Sequence, residues 1–234
     1  MRINIDKGIA IIILGLALTA ALIEAGKTVY TWTQNDEKKS RYTVVIDPGH
    51  GGNDPGKIGI NNVKEKDINL AISLKLKEIL EQNDCKVLLT REKDQGLYQE
   101  SDTNKKTADL HARCQMINES GADLTVSIHQ NSFTSESSKG AQVFYQAASS
   151  EGKELADILQ KQLISGLDPE NHRTAKANSD YYMLKNTTGT MVIAECGFLS
   201  NSQEAELLTQ EAYQRRVAWS VALGILQYLS GGHN

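Results

Sequence analysis

The chain reads as a single α/β domain: a mostly parallel, twisted sheet with helices on both faces, preceded by an N-terminal hydrophobic helix. Three observations predict this. Short, continuous apolar runs of strand length alternate with longer amphipathic segments, the pattern of a parallel sheet covered on both sides. The 234 residues are 40% apolar and 23% charged, the composition of a globular domain of ordinary size. Three prolines and no internal repeat leave little room for a long linker or a tandem architecture. A net charge of −4, with no basic stripe interleaved with aromatics, argues against a nucleic-acid partner.

The first element stands apart. Arg2 and Lys7 precede an unbroken apolar run from Gly8 to Ile23, closed by Glu24. A core helix would carry a polar face, and this run has none, so residues 1–26 read as an export signal or a membrane anchor. The length lies between the two cases, since a full span takes roughly 20 residues. The best cleavage candidate, Thr19-Ala20-Ala21, sits inside the apolar run, which favours an uncleaved anchor. The basic end stays in the cytoplasm and the body is exported, giving an extracytoplasmic protein held at the membrane. Residues 27–41 are a polar tether and residues 42–230 the folded body.

Within that body, Tyr42–Ile46 is an apolar run stopped by Asp47-Pro48-Gly49, as expected of a strand buried on both faces. A glycine-rich loop follows through Gly49, Gly51, Gly52, Gly56 and Gly59. From Lys66 onward Ile68, Ile72, Leu76, Ile79 and Leu80 recur at helical spacing. Lys86–Thr90 reads as a strand, Arg91 to Lys106 as an irregular polar stretch, and Leu110 to Glu119 as a helix. Leu124–Ile128 and Ala141–Tyr145 are strands, and Lys153–Leu163 is helical. Tyr182–Leu184 and Met191–Ala194 read as short strands and Glu204–Leu208 as a helical turn. Tyr213–Leu229 is a closing helix with Val217, Val221, Leu223 and Ile225 inward.

In parallel sheets ligands collect outside the carboxyl ends of the strands. His50, His129 and Glu195 each fall just past a strand, so one sheet edge can carry all three. Two neutral imidazoles and a carboxylate, here His50, His129 and Glu65, are the ligand set of an open zinc site whose fourth position holds a reactive water. Gly51 and Gly52 keep the approach to His50 clear, and Asp47 is placed to accept a hydrogen bond from its ring. Taken alone, Asp-Pro-Gly-His is equally a plain turn with a surface histidine, and Glu65 a solvated acid at a helix start.

His129 is more specific. Thr125, Ser127 and His129 share one strand face, and His-Gln-Asn-Ser is awkward to bury as a core histidine. Asn131 is placed to orient a substrate amide, with Arg91 as a second candidate substrate contact. Glu195 ends the apolar run Met191-Val192-Ile193-Ala194, a costly place for a carboxylate unless it is paired, with Arg91 or Arg113, or functional. Partial burial would raise its pKa toward the range useful for moving protons. His111, His172 and His233 read as surface residues. Cys85, Cys114 and Cys196 show no C-x-x-C spacing and read as buried free thiols. Cys196 as a nucleophile with His129 as base is the competing enzyme class. Against it, Glu195 raises the thiol pKa and alternation sends the two side chains to opposite faces.

Ile46-Asp47-Pro48-Gly49-His50-Gly51-Gly52, Glu65-Lys66-Asp67-Ile68-Asn69-Leu70, Leu89-Thr90-Arg91, Ser127-Ile128-His129-Gln130-Asn131 and Glu195-Cys196-Gly197-Phe198-Leu199-Ser200-Asn201 together resemble the zinc-dependent N-acetylmuramoyl-L-alanine amidases. The five motifs fall in order, and the match extends from about Tyr42 to Leu229. The resemblance implies that residues 42–230 are a catalytic domain in which His50, Glu65 and His129 hold zinc and Glu195 is the acid/base. The implied substrate is the peptidoglycan amide joining muramic acid to L-alanine. Lys106-Thr107-Ala108-Asp109-Leu110-His111-Ala112-Arg113 brings the chain nearer to the sporulation members of the family. Those members strip peptides from cortex muramic acid before a separate deacetylase completes muramic-δ-lactam, which is read at germination. Division amidases of the family carry an inserted, occluding helix after the strand equivalent to Ala141–Tyr145. Gln146 to Gly152 is too short for it, so restraint would fall to a regulatory partner or to metal supply. A catalytically inactive, membrane-tethered wall-binding protein would need a missing ligand, and none is missing.

Overall fold

The computed structural model describes residues 15, 17–24 and 40–231. Residues 17–24 are helical and exposed, and belong to a unit separate from the body that begins at Ser40. Among the described residues no helix is long and apolar enough to cross a membrane. Most of the signal or anchor expected over residues 1–26, and the tether over 27–41 apart from Ser40 and Arg41, lie outside the described residues.

The body runs β1 (Tyr42–Pro48), α1 (Glu65–Glu81), β2 (Cys85–Leu89), α2 (Lys105–Glu119), β3 (Leu124–Asn131), β4 (Gln142–Gln146), α3 (Ser150–Leu167), β5 (Lys176–Asn178), α4 (Tyr182–Asn186), β6 (Met191–Phe198), α5 (Ser202–Thr209) and α6 (Glu211–Ser230). The strands form one sheet in the order β2-β1-β3-β6-β4-β5. Neighbours are parallel except β4 and β6, which are antiparallel. The central strands β1, β3 and β6 are the near-continuous apolar runs, as burial on both faces requires.

Alternation along these strands builds two cores. On one face Val44, Ile46, Val126, Ile128, Val192 and Cys196 pack with Ile72 and Leu76 of α1, Leu155 and Leu159 of α3, and Val217, Val221 and Ile225 of α6. On the other, Val45, Phe144, Met191 and Ile193 meet Cys114 and Ile117 of α2 and Met183 and Leu184 of α4. Side-chain caps start three of the helices: Asn104 accepts from the Thr107 N–H, Ser149 from Gly152, and Asn201 from Gln203 and Glu204.

Three expectations need correction. Tyr182–Leu184 is helical, not a strand, because Asn178 Oδ1 accepts from the N–H groups of Asp180 and Tyr181 and turns the chain just before it. The sixth strand is instead the polar edge segment Lys176–Asn178, which carries no apolar run to betray it. Leu223 is 40% exposed, since it lies about 200° round α6 from the buried Val221.

Candidate metal centre

The site sits where β1, β3 and β6 end. His50 follows β1 in the left-handed region, φ +62°, a conformation that costs a non-glycine residue of the order of 1 kcal/mol. What holds it there is Arg113 of α2, whose Nη2 donates to the His50 carbonyl at 2.7 Å while Nη1 donates to Asp47 Oδ1 at 2.6 Å. His129 is the sixth residue of β3, with Glu195 directly across from it on β6. Glu65 is the first residue of α1, 2% exposed, and points back under both imidazoles.

The distances are those of a ligand set. His50 Nε2 lies 3.2 Å from Glu65 Oε2, and His129 Nδ1 2.9 Å from Glu65 Oε1. One ligand atom from each residue falls within 4.8 Å of the others, so the trio could hold a metal ion. Zinc bound at about 2.0–2.1 Å in tetrahedral geometry puts its ligand atoms about 3.3 Å apart, so the donor set fits that ion. The tautomer fits as well. His50 Nδ1 meets Asp54 Oδ2 at 2.9 Å, an arrangement that leaves Nε2 to face the site. Asp54, not the expected Asp47, has this role. Asp47 is buried and bonded to Thr90, Ser127 and Arg113.

Electrostatics follow the packing. Burial works against charge on His50, but the hydrogen bonds to Asp54 and Glu65 outweigh it and raise its pKa to about 9. Burial likewise opposes charge on Glu65, yet its bonds to His129 and His50 hold the carboxyl far below the usual range. Glu195 has no such partner. Burial pushes its pKa up to about 7, and its Oε2 is buried without a hydrogen-bond partner. All four side chains line one cleft of about 490 Å³. Glycines admit this crowding. A Cβ on Gly49 would stand 2.2 Å from His129 Nε2, and one on Gly56 (φ +68°) 2.6 Å from Glu65 Oε2.

Asn131 lines the cleft, with its Oδ1 accepting from the Ser132 N–H. Arg91, expected as a substrate contact, is 2% exposed and does not line it. Its guanidinium donates to the carbonyls of Pro48, Gly49, Lys66 and Lys93, tying the His50 turn to α1. Neither Arg91 nor Arg113 pairs with Glu195. Cys196 faces the opposite core, 1% exposed, and burial drives its thiol pKa far up, which removes it as a nucleophile. Cys85 and Cys114 are also buried free thiols. His111 and His172 are exposed, and His233 lies outside the described residues. The sequence reading missed Asp54, an unremarkable loop acid, and the cleft-lining Tyr181, Tyr182 and Lys106. Only three residues, Ala147 to Ser149, separate β4 from α3, too few for an occluding helix.

Fold and site together define an α/β protein with an open, candidate metal centre at the carboxyl edge of its sheet. A family model described as N-acetylmuramoyl-L-alanine amidase matches residues 44–227, and the chain belongs to that family. It is 36% identical over 210 residues to the germination-specific N-acetylmuramoyl-L-alanine amidase of Bacillus subtilis (86% of this chain, 88% of the relative). The CwlD amidase of Clostridioides difficile, solved in complex with the GerS lipoprotein, is similar at a TM-score of 0.80 and 42% identity, over 82% of this chain and 100% of that one. An N-acetylmuramoyl-L-alanine amidase from Clostridium difficile 630 gives 0.73 and 33%, over 82% and 98%. The chain is an N-acetylmuramoyl-L-alanine amidase, and peptidoglycan is its substrate.

Proposed function

We propose that the chain is a zinc enzyme in which His50, Glu65 and His129 hold the ion and Glu195 moves the protons of amide cleavage. The observation that carries this reading is the convergence of three ligand atoms beside a buried carboxylate oxygen that has no other partner. A bound zinc ion supplies an acidified water and a polarised scissile carbonyl. Glu195 accepts the proton of the attacking water as the C–O bond forms. The same carboxyl then gives that proton to the alanine nitrogen as the C–N bond breaks, leaving a muramic carboxylate and a free peptide amine. A pKa near neutrality suits both halves of this cycle. Asp54 keeps the His50 ring oriented, and Asn131 on the cleft wall orients the substrate amide.

The same reading assigns the activity to spore cortex maturation, upstream of a deacetylase that completes muramic-δ-lactam, under control of a regulatory partner. Similarity to a germination-specific amidase and to an amidase solved with a lipoprotein supports it. The enzyme then acts outside the cytoplasm, with residues 1–26 as its signal or membrane anchor and 27–41 as the tether to the catalytic domain of 42–230. The test is mass analysis of peptidoglycan digested by protein stripped with chelator and then reloaded with zinc. Free stem peptides and bare muramic acid should appear only after reloading. Equal cleavage by the stripped protein would end the zinc reading.

A further inference from the structure

Two lysines line the cleft, and neither has a close carboxylate partner of its own among the described residues. Lys57 sits on the loop whose backbone N–H donates to Glu65 Oε2 at 2.8 Å, and its ammonium makes no ion pair among the described residues. Lys106 is the second residue of α2, and its side chain is 66% exposed. Its nearest carboxylate is Asp54 Oδ2 at 3.6 Å, an oxygen already held by His50 at 2.9 Å. The adjacent Lys105 shows the contrast, since it is bonded to Glu100 at 2.5 Å and lies over the Tyr98 ring.

The position of Lys106 is also locally unfavourable. α1, α3, α5 and α6 each carry an acid in the first turn, whereas α2 has none there and begins with two lysines. Cations at a helix N-terminus oppose the helix dipole. Lys105 is compensated by its own partners, but Lys106 is only weakly compensated by Asp54. An arriving anion would complete that charge balance. Asp54 ties the two lysines together, because its Oδ1 accepts from Gly56, the neighbour of Lys57. The Lys106 cation therefore lies by the His50 end of the cleft, and the Lys57 backbone belongs to the loop beside it. Asn131 and Ser132 mark another part of its wall.

We propose that Lys57 and Lys106 bind a carboxylate on the peptide side of the substrate, so that the cleft selects anionic stem peptides over neutral ones. The inference rests on the amidase reading above and adds a specificity to it. Lys106 grips the carboxylate as a flexible point charge, and Lys57 closes on it from the loop. The peptide half then lies over the His50 end of the cleft.

The test uses the zinc-loaded full chain and two muramoyl-L-alanyl dipeptides. They differ only in a free carboxylate or a carboxamide on the residue after alanine. A charge-assisted bond to the carboxylate should favour the acid by about tenfold in kcat/KM, carried by KM. Lys106→Gln should bring that ratio close to one, Lys57→Gln should lower it part of the way, and Lys106→Arg should keep it. Raising the salt concentration should compress the preference in the parent enzyme. Equal turnover of both dipeptides by the parent, or an unchanged ratio in Lys106→Gln, overturns the proposal while leaving the amidase reading intact. Cleavage of neither dipeptide overturns the proposal, and release of stem peptides from whole peptidoglycan by the same zinc-loaded protein then shows that the amidase reading stands apart from it.

Discussion

The two faces of the sheet do different work. The face under α1, α3 and α6 is mostly apolar, with Val44, Ile46, Val126, Ile128, Leu155, Leu159, Val217 and Ile225 fully buried and a few bonded amides such as Asn69, Gln130 and Gln160 among them. The face under α2 and α4 carries a smaller apolar cluster, and toward the carboxyl edge it turns polar. There Asp47, Thr90, Ser127 and Arg113 form a buried, bonded network. Arg113 extends from that network to the His50 carbonyl, which places an imidazole against a conformational preference. One face supplies stability by area, and the other uses part of it to position charge. Functional geometry therefore costs this protein most where the strands end.

The largest effects should separate chemistry from metal binding on the polar face. His129→Ala removes a candidate ligand and should lose both zinc and amide cleavage. Glu195→Ala should keep zinc and lower cleavage by about 10²–10⁴-fold, the usual contribution of a positioned acid/base. Metal content by mass spectrometry alongside a muropeptide digest checks the pair. Near-parental cleavage by Glu195→Ala would remove it from the mechanism. Because Glu195 is buried without a partner for Oε2, its loss should not destabilise the fold.

Next come two truncations of similar energetic size on opposite faces. Arg113→Ala leaves Asp47 buried and unpaired and should cost about 3–5 kcal/mol. It should also release the His50 turn, so zinc affinity falls with stability. Leu159→Ala, at 0% exposure against Gly224 of α6, should cost about 2–5 kcal/mol by leaving a cavity. Its zinc affinity should stay at the parental value under conditions where it is folded. Denaturant titration paired with zinc titration tests the comparison. If both variants lose zinc equally, the faces are not functionally distinct.

Much of this division can be read from the sequence because it follows from periodicity. The central strands are unbroken apolar runs, and the spacing of Ile68, Ile72, Leu76 and Leu80 marks a helix face that the structure buries. The histidines and Glu195 stand out because polar residues at the ends of such runs conflict with burial. What escaped was set by long-range partners. Asp54 is one loop acid among several until folding brings it to His50. Arg91 looked like a substrate contact because a sequence does not reveal that four backbone carbonyls need a donor. Lys176–Asn178 and the helical turn at Tyr182 were missed because a three-residue polar edge and an Asx turn carry no hydrophobic period.

The smallest effect gives the Asp47 network a pH signature that an apolar truncation cannot have. Burial opposes charge on Asp47, but Arg113 and the hydroxyls of Ser127 and Thr90 prevail and lower its pKa to about 2. A carboxyl whose folded pKa lies below its unfolded value stabilises the fold above the unfolded value, near 4. That contribution, about 2 kcal/mol, is lost as the pH falls from about 4 toward about 2. Asp47→Asn should therefore be most destabilised relative to the parent at neutral pH, with the gap narrowing in acid as the parent loses what the variant never had. Leu159→Ala should instead run parallel to the parent over the same range, because no titrating group has changed. Urea unfolding at several pH values between 5 and 2.5 measures both curves. A parallel Asp47→Asn curve would mean that the Arg113 network carries no net charge stabilisation, leaving the polar face with a purely geometric role.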